Sequence, residues 1–345
     1  MNANIALFLA QDGIINGAIY ALLGVALVLL FAVTRIIFVP QGELVAWGAL
    51  TMAALETGVV PGTARMLVAL GLAAATLQMI REWRTLQASQ IIRLLAQDIG
   101  MPLALLTAVT ILVPLHLGLV ANAMLTLALL VPMGPLIYRI AFQPIADASV
   151  LVLFIAAIGV HFSLVGLGLL FFGAEGYRPS PFIDANFLFG SMIVKSQSVF
   201  VLGVTAVVMV GLFIFFEQTM PGKALRATAV NRLGARLVGI SVRKTGQITF
   251  ALAAAIGAVS GILIGPLTTI YYDTGFLIGL KGFVAAIVAG LTSYPLTVLA
   301  AILVGLLESY SAFFASAFKE VIVFSLIIPV LLVRSFAGGR DEEEE

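Results

Sequence analysis

Six ionisable side chains stand in or beside long apolar stretches of this 345-residue sequence: Glu43, Glu56, Lys281 and Glu308 inside them, Lys319 and Glu320 at an edge. Placing one in hydrocarbon costs from about 2.5 kcal/mol upward. Each therefore needs a partner, an aqueous path, or a position from which it can snorkel or cap a helix end. Glu43 follows Pro40, Gln41 and Gly42, where a helix must break or begin. Irregular backbone at membrane depth is tolerated only beside protein or a water-filled cavity. Lys281 is set in the Gly-rich stretch 279–282. Two readings fit Pro40, Gln41, Gly42, Glu43 and Lys281: a polar translocation pathway, or charges that cap and snorkel near an interface.

Other chemistries find few residues to work with. There is no paired Asp, no Ser with a base and no HExxH, so no catalytic residue is expected. The two histidines, His116 and His161, have no second ligand at helical spacing, so no metal site and no cofactor is expected either. His116 falls near the end of an apolar run. His161 lies inside one and reads first as a packing residue, with a proton relay as the other option. No GxxxxGK[ST] occurs, so the chain cannot by itself cradle a nucleoside triphosphate in a P-loop. With no cysteine, disulfides, thiol nucleophiles and lipoprotein anchors are excluded.

The elements that must position these residues are membrane helices. The chain is 61% hydrophobic and 10% charged, against about 45–50% and about 25% in soluble domains. Apolar runs of the length a helix needs to cross a bilayer lie near 11–34, 42–58, 63–80, 101–118, 119–138, 149–172, 198–216, 248–270, 276–294, 296–315 and 318–334. The expected fold is an all-α polytopic transmembrane helix bundle of about 8–11 membrane segments, some short or broken. Residues 1–340 form one domain. No Lys or Arg precedes Arg35, so the first run is expected to stay in the mature protein rather than act as a cleaved signal.

The net charge of +1 hides an asymmetry: five acids fill 341–345, and the body without them carries 18 basic against 12 acidic side chains. Nothing in so dispersed an excess suggests nucleic acid. The largest basic cluster, 223–244, holds Lys223, Arg226, Arg232, Arg236, Arg243 and Lys244 with no acid, which places it in the cytoplasm. Parity then puts Arg35, 81–93, Arg139 and the C-terminus inside, and the N-terminus and the loop 173–198 outside. Segment 81–99 alternates polar residues with Leu86, Ile91, Ile92, Leu94 and Leu95. It reads as an amphipathic helix on the cytoplasmic surface, or as the extended end of a neighbouring span.

Within the basic loop, KALRATAVNRLGARLVG predicts one helix over about 224–238, with Ala229, Leu233 and Leu237 on one face and Arg232 and Arg236 on another. Either it is a topogenic loop that happens to be helical, or it docks a cytoplasmic partner. Ala253, Gly257, Gly261 and Gly265 recur every four residues and form a ridge of small side chains suited to close helix packing.

Three stretches resemble the inner-membrane permease subunits of branched-chain amino acid ABC importers, a family that also includes urea and amide permeases. Residues 13–50 pair a Gly-rich first span with the turn Phe38-Val39-Pro40-Gln41-Gly42-Glu43, which keeps the family's Gly-Glu while altering its usual Asn-Phe-Ala. Residues 222–242, GKALRATAVNRLGARLVGISV, are similar to the family's coupling loop ending in Gly239-Ile240. GFLIGLKGFVAAIVAGLTSYP, GLLES and FKEVIVFSLIIPVLLVRS are similar to its C-terminal third, and IYRIAFQPI at 137–145 also matches. Residues 60–118 do not match and look like an inserted pair of spans containing the 81–99 segment.

The resemblance implies half of a solute pathway for branched-chain amino acids or related small polar solutes. A second permease subunit, identical or related, would complete it. P-loop ATPase subunits would dock on the 223–244 loop, and a periplasmic binding protein would deliver the solute. It implies ATPase coupling through Arg226, Ala227, Ala229, Asn231, Arg232, Gly234, Ala235, Arg236, Gly239 and Ile240. The rival from the residues alone is an ion-coupled secondary transporter or channel that needs no ATPase. An intramembrane enzyme is the weakest reading.

Overall fold

The computed structural model of the chain describes residues 3–82, 88–189 and 192–338. The tail 341–345, and residues 83–87 of the amphipathic segment, lie outside the described residues. The polypeptide is helical, as its apolar runs require: with no water in hydrocarbon, a helix satisfies every backbone N–H and C=O within its own segment.

In chain order the helices are α1 (Ala3–Thr34), α2 (Gln41–Glu56), α3 (Gly62–Glu82), α4 (Ala88–Leu95), α5 (Met101–Leu112), α6 (Leu119–Ile137), α7 (Val150–Phe172), α8 (Ser196–Gln218), α9 (Met220–Val230), α10 (Arg232–Leu237), α11 (Val242–Ile264), α12 (Thr274–Val288), α13 (Tyr294–Phe314), α14 (Lys319–Ser325) and α15 (Ile327–Gly338). Among the described residues, nine helical stretches are long and apolar enough to cross a membrane. α2 and α12 account for the remaining two predicted runs. At 16 residues, α2 rises about 24 Å, short of an about 30 Å hydrocarbon core. Among the described residues, the strands form one antiparallel hairpin, β1 (Asn186–Phe189) with β2 (Met192–Lys195), paired Asn186↔Lys195 through Phe189↔Met192, beside an isolated bridge between Tyr177 and Ile270.

The segment predicted as a surface helix joins its neighbour. α4 runs through a π-helical turn, Ala96–Gly100, directly into α5, so that Ser89–Leu115 is one helical stretch. Of the two readings, the extended span describes residues 88–99. Pro102 stands in the first turn of α5, directly after the π turn.

The chain divides into two compact units. The first comprises Met1–Val28, Ile183–Val210 and Leu277–Glu345. Here α1 and α13 cross through glycine: a Cβ on Gly13 would lie 2.7 Å from Leu306 Cα, on Gly17 2.7 Å from Ile302 Cα, and on Gly305 2.2 Å from Gly13 O. Backbones can approach this closely only without side chains.

The second unit comprises Leu29–Phe182 and Gly211–Phe276, and its centre is α11 packed between α2 and α6. Within the predicted small-residue ridge, a Cβ on Gly257 would lie 2.8 Å from Leu44 Cβ and one on Gly261 2.2 Å from Val45 O. Ala253 is buried and its carbonyl accepts from Gln41 Nε2. Gly265 abuts the Pro179 ring instead of α2. On the other flank, Gly134 of α6 meets the Phe250 carbonyl, and Phe38, Tyr138, Phe142 and Phe250 form an aromatic cluster with centroids 4.9–5.9 Å apart. Glu56, at the end of α2, accepts from the backbone N–H of Ser180 and so tethers the 173–182 loop.

Candidate functional site

The predicted pathway residues begin at the break before α2. Proline has no N–H to leave unpaired, and Pro40 serves as the N-cap residue. Pro40, Gln41, Gly42 and Glu43 are all buried. Gln41 Nε2 donates to the Ala253 carbonyl at 2.9 Å. A Cβ on Gly275 would lie 2.5 Å from the Gly42 carbonyl, so the start of α12 closes on the start of α2 through two glycines. Glu43 occupies the first turn of α2, where the helix dipole favours a carboxylate.

The sequence gives no sign of Glu43's neighbour. His161, on α7, places Nδ1 3.2 Å from Glu43 Oε1, and Phe276 lies against its imidazole at 4.8 Å between ring centroids. Neither Glu43 oxygen accepts a hydrogen bond among the described residues. A buried carboxylate beside an imidazole can hold a proton between the two groups or neutralise an approaching ammonium.

Lys281 belongs to the other compact unit and is already engaged there. Its Nζ lies 2.5 Å from Glu308 Oε1 and 3.3 Å from Glu320 Oε1. Tyr20 donates its hydroxyl to Glu308 Oε2 at 2.5 Å, and its ring centroid lies 5.8 Å from Nζ. Lys319 adds a longer contact to Glu320. Four of the six ionisable residues singled out in the sequence thus form one network. The partners lie 27 and 288 residues apart in the chain, so no local pattern could have paired them.

The basic loop corrects one expectation: there is no single helix over 224–238. Asn231 leaves helical geometry (φ −147°, ψ 100°), ends α9, and accepts from the Gly234 N–H at 2.8 Å to start α10. Asparagine's short amide competes with the backbone in this way, which is why it favours caps over helix interiors. The predicted Ala229, Leu233 and Leu237 face is therefore split. Ala229 is half-buried, whereas Leu233 and Leu237 are 68% and 81% exposed, beside exposed Val230 and Val238.

At the far end, Gly239 takes φ +87°, and the Ile240 N–H reaches the Ala235 carbonyl while Gly239 N–H reaches Arg236. This closes α10 in a Schellman turn. Arg226 pairs with Glu217 of α8. Arg232 donates to the Ala146 carbonyl at 3.1 Å, and Arg236 reaches Asp147 at 3.2 Å. Ala235 is buried and Ala227 exposed. The loop is thus tied to the segment that opens α7.

An apolar helical bundle with nine helical stretches long enough to cross a bilayer among the described residues is the architecture of a multi-pass membrane protein. The chain belongs to the family described as the branched-chain amino acid transport system permease component, which it matches over residues 9–331. It is 32% identical to the high-affinity branched-chain amino acid transport system permease protein BraD of Pseudomonas aeruginosa, over 61% of this chain and 72% of that one. It is 31% identical to the corresponding permease protein LivH of Salmonella typhimurium, over 61% and 70%. The solved structure of PsaBC from Streptococcus pneumoniae in complex with Fab aligns at a TM-score of 0.42 with 14% identity, over 94% of this chain and 89% of that one.

Proposed function

We propose that this permease forms half of the solute pathway of a bacterial ABC importer for branched-chain amino acids or related small polar solutes. A second permease chain, identical or related, completes the pathway. P-loop ATPase subunits supply the energy, and a periplasmic binding protein delivers the solute. The N-terminus faces the periplasm and the C-terminus the cytoplasm, in keeping with the basic loop at 223–244.

One observation carries the reading: in the loop most strongly marked as cytoplasmic, α9 and α10 expose Val230, Leu233, Leu237 and Val238 together. Apolar groups clustered in a charged loop mark a protein interaction surface. Arg232 and Arg236 tie that surface to Ala146 and Asp147, and α11 starts four residues after α10 closes. A push on α10 would reach both α7 and α11, which is what an ATP-driven two-state pathway needs. Glu43 and His161 are assigned to the pathway as the buried polar pair of the second unit. Residues 60–118 are assigned as an insertion into the family body.

Copurification tests the docking role. Gly234→Trp, or deletion of 226–238, should abolish association with the ATPase subunits while membrane insertion persists; undiminished association would remove the assignment. In reconstituted vesicles, uptake should require ATP and the binding protein. Uptake by this chain alone under an ion gradient would establish the secondary-transporter reading instead.

A further inference from the structure

The second unit contains a polar cavity that the transport reading leaves unused. It has a volume of about 440 Å³ and is lined by Arg93, Asp98, Arg139, Gln143, Arg243 and Lys244 among others. A neighbouring cavity of about 230 Å³ shares Arg139, Gln143 and Arg243 and adds Arg81. The walls come from the insertion, through α3 and α4, and from the family body, through the end of α6 and the start of α11.

The charge balance is one-sided. Among the described residues, Asp98 is the sole carboxylate of the lining, and Arg139 occupies both its oxygens, at 2.5 and 2.6 Å. Among the described residues, no carboxylate pairs with Arg81, Arg93, Arg243 or Lys244. Arg243 and Lys244 stand in the first turn of α11, the positive end of a 23-residue helix, where basic side chains are the unfavourable choice. An anion between them and Arg93 would relieve that repulsion and accept the guanidinium forks.

We propose that this cavity binds a phosphate group, carried either by an anionic phospholipid headgroup or by a free phosphate. The lipid source has its own support. Ile80 and Ile92, next to Arg81 and Arg93, are 76% and 68% exposed, and Leu77, exposed on the same helix as Ile80, lines the smaller cavity. Apolar side chains beside a basic pocket give acyl chains a surface while the headgroup is held. By charge the cavity also lies toward the cytoplasmic leaflet, where anionic lipids concentrate. The inserted helices thereby acquire a role: they complete a basic site around the start of α11, next to the coupling loop.

The test uses the full chain, delipidated in detergent, with native mass spectrometry and thermal unfolding as readouts. Phosphatidylglycerol should bind and raise the unfolding temperature, while phosphatidylcholine should do neither. Arg93→Gln and Arg243→Gln should each weaken phosphatidylglycerol binding about fivefold, the contribution of one basic residue near an anionic surface. Arg65→Gln, in the first turn of α3 and outside both cavities, should leave it unchanged. If inorganic phosphate protects the chain and phosphatidylglycerol does not, and the same two variants abolish that protection, the free ion is the ligand. Binding of neither probe overturns the proposal, as does equal binding by the wild type and both cavity variants.

Discussion

Asp98 and Arg139 form a two-toothed ion pair, and each stands on a π-helical turn: Asp98 in Ala96–Gly100, Arg139 in Tyr138–Phe142. One extra residue per turn re-aims the side chains that follow. Here two separate helices each carry such a turn, and the two turns bring opposite charges together. Gln78 of α3 completes the set by accepting from the second Arg139 nitrogen at 2.6 Å. Gly71, also on α3, clears the way, since a Cβ there would lie 1.9 Å from the Asp98 carbonyl. The π turn that follows α4 and the helix α3 are thereby both pinned to the stretch IYRIAFQPI at 137–145.

Asp98→Ala should therefore destabilise the chain by about 1.5–3 kcal/mol, the effect of losing a charge-assisted hydrogen-bonded pair whose arginine is only partly buried. Thermal unfolding in detergent measures this. Asp98→Leu combined with Arg139→Met should recover much of the loss, because no uncompensated charge then remains buried. An Asp98→Ala protein as stable as the wild type would show the pair to be ornamental.

Much of the architecture was legible because hydrophobic run length is a one-dimensional signal. All eleven predicted runs correspond to helices, and the break before Glu43 is where α2 begins. What was not legible depends on long-range contact or on a competition between neighbours. Lys281 reads as a pathway residue or as a snorkelling or capping charge, and neither reading reveals that Glu308 and Glu320 stand beside it. His161 reads as packing until α7 lays it against Glu43. Asn231 falls within a helical pattern, and whether its amide caps or merely decorates the helix is decided by the geometry of Gly234, three residues on. The π turns leave no trace in hydrophobic periodicity.

Asn231→Ala removes a cap worth about 1 kcal/mol and lets α9 run on into α10. Leu233 and Leu237 would then rotate toward the face of Ala229. ATPase association should weaken about fivefold, with membrane insertion unaffected, as read by copurification from solubilised membranes. Association at wild-type strength would show that the break is not what presents those leucines.

Glu43→Gln should separate stability from transport. It replaces a buried carboxyl group, whose oxygens lack hydrogen bonds among the described residues, with an uncharged amide of nearly the same shape, so the unfolding temperature should hold or rise. Uptake in reconstituted vesicles should nevertheless fall about tenfold, equivalent to about 1.4 kcal/mol, if the carboxylate and His161 serve the solute. Normal uptake by both Glu43→Gln and His161→Gln would withdraw the pair from the pathway.

Glycines divide by what surrounds them. A methyl on Gly134 would sit 2.1 Å from the Phe250 carbonyl, and on Gly261 2.2 Å from Val45 O. Gly134→Ala and Gly261→Ala should each destabilise by about 1–3 kcal/mol through overpacking. Gly203 and Gly211 of α8 have nothing within 4 Å, and alanine there should stabilise by about 0.5–1 kcal/mol. Unfolding temperatures that move the same way for both pairs would contradict this division.

Lys281, a candidate pathway residue, is held in an ion network with Glu308 and Glu320. Lys281→Met leaves Glu308 and Glu320 without their shared counter-charge, with Glu308 still holding the Tyr20 hydroxyl. Loss of about 3–5 kcal/mol follows from the unpaired buried carboxylate. Lys281→Met with Glu308→Leu should regain part of it, although Tyr20 then loses its acceptor and Glu320 its nearer cation. A network that exists for stability predicts that uptake returns in step with the unfolding temperature in this double variant. If the double variant is stable but does not transport, the ammonium of Lys281 acts on the solute as well as on its carboxylate partners.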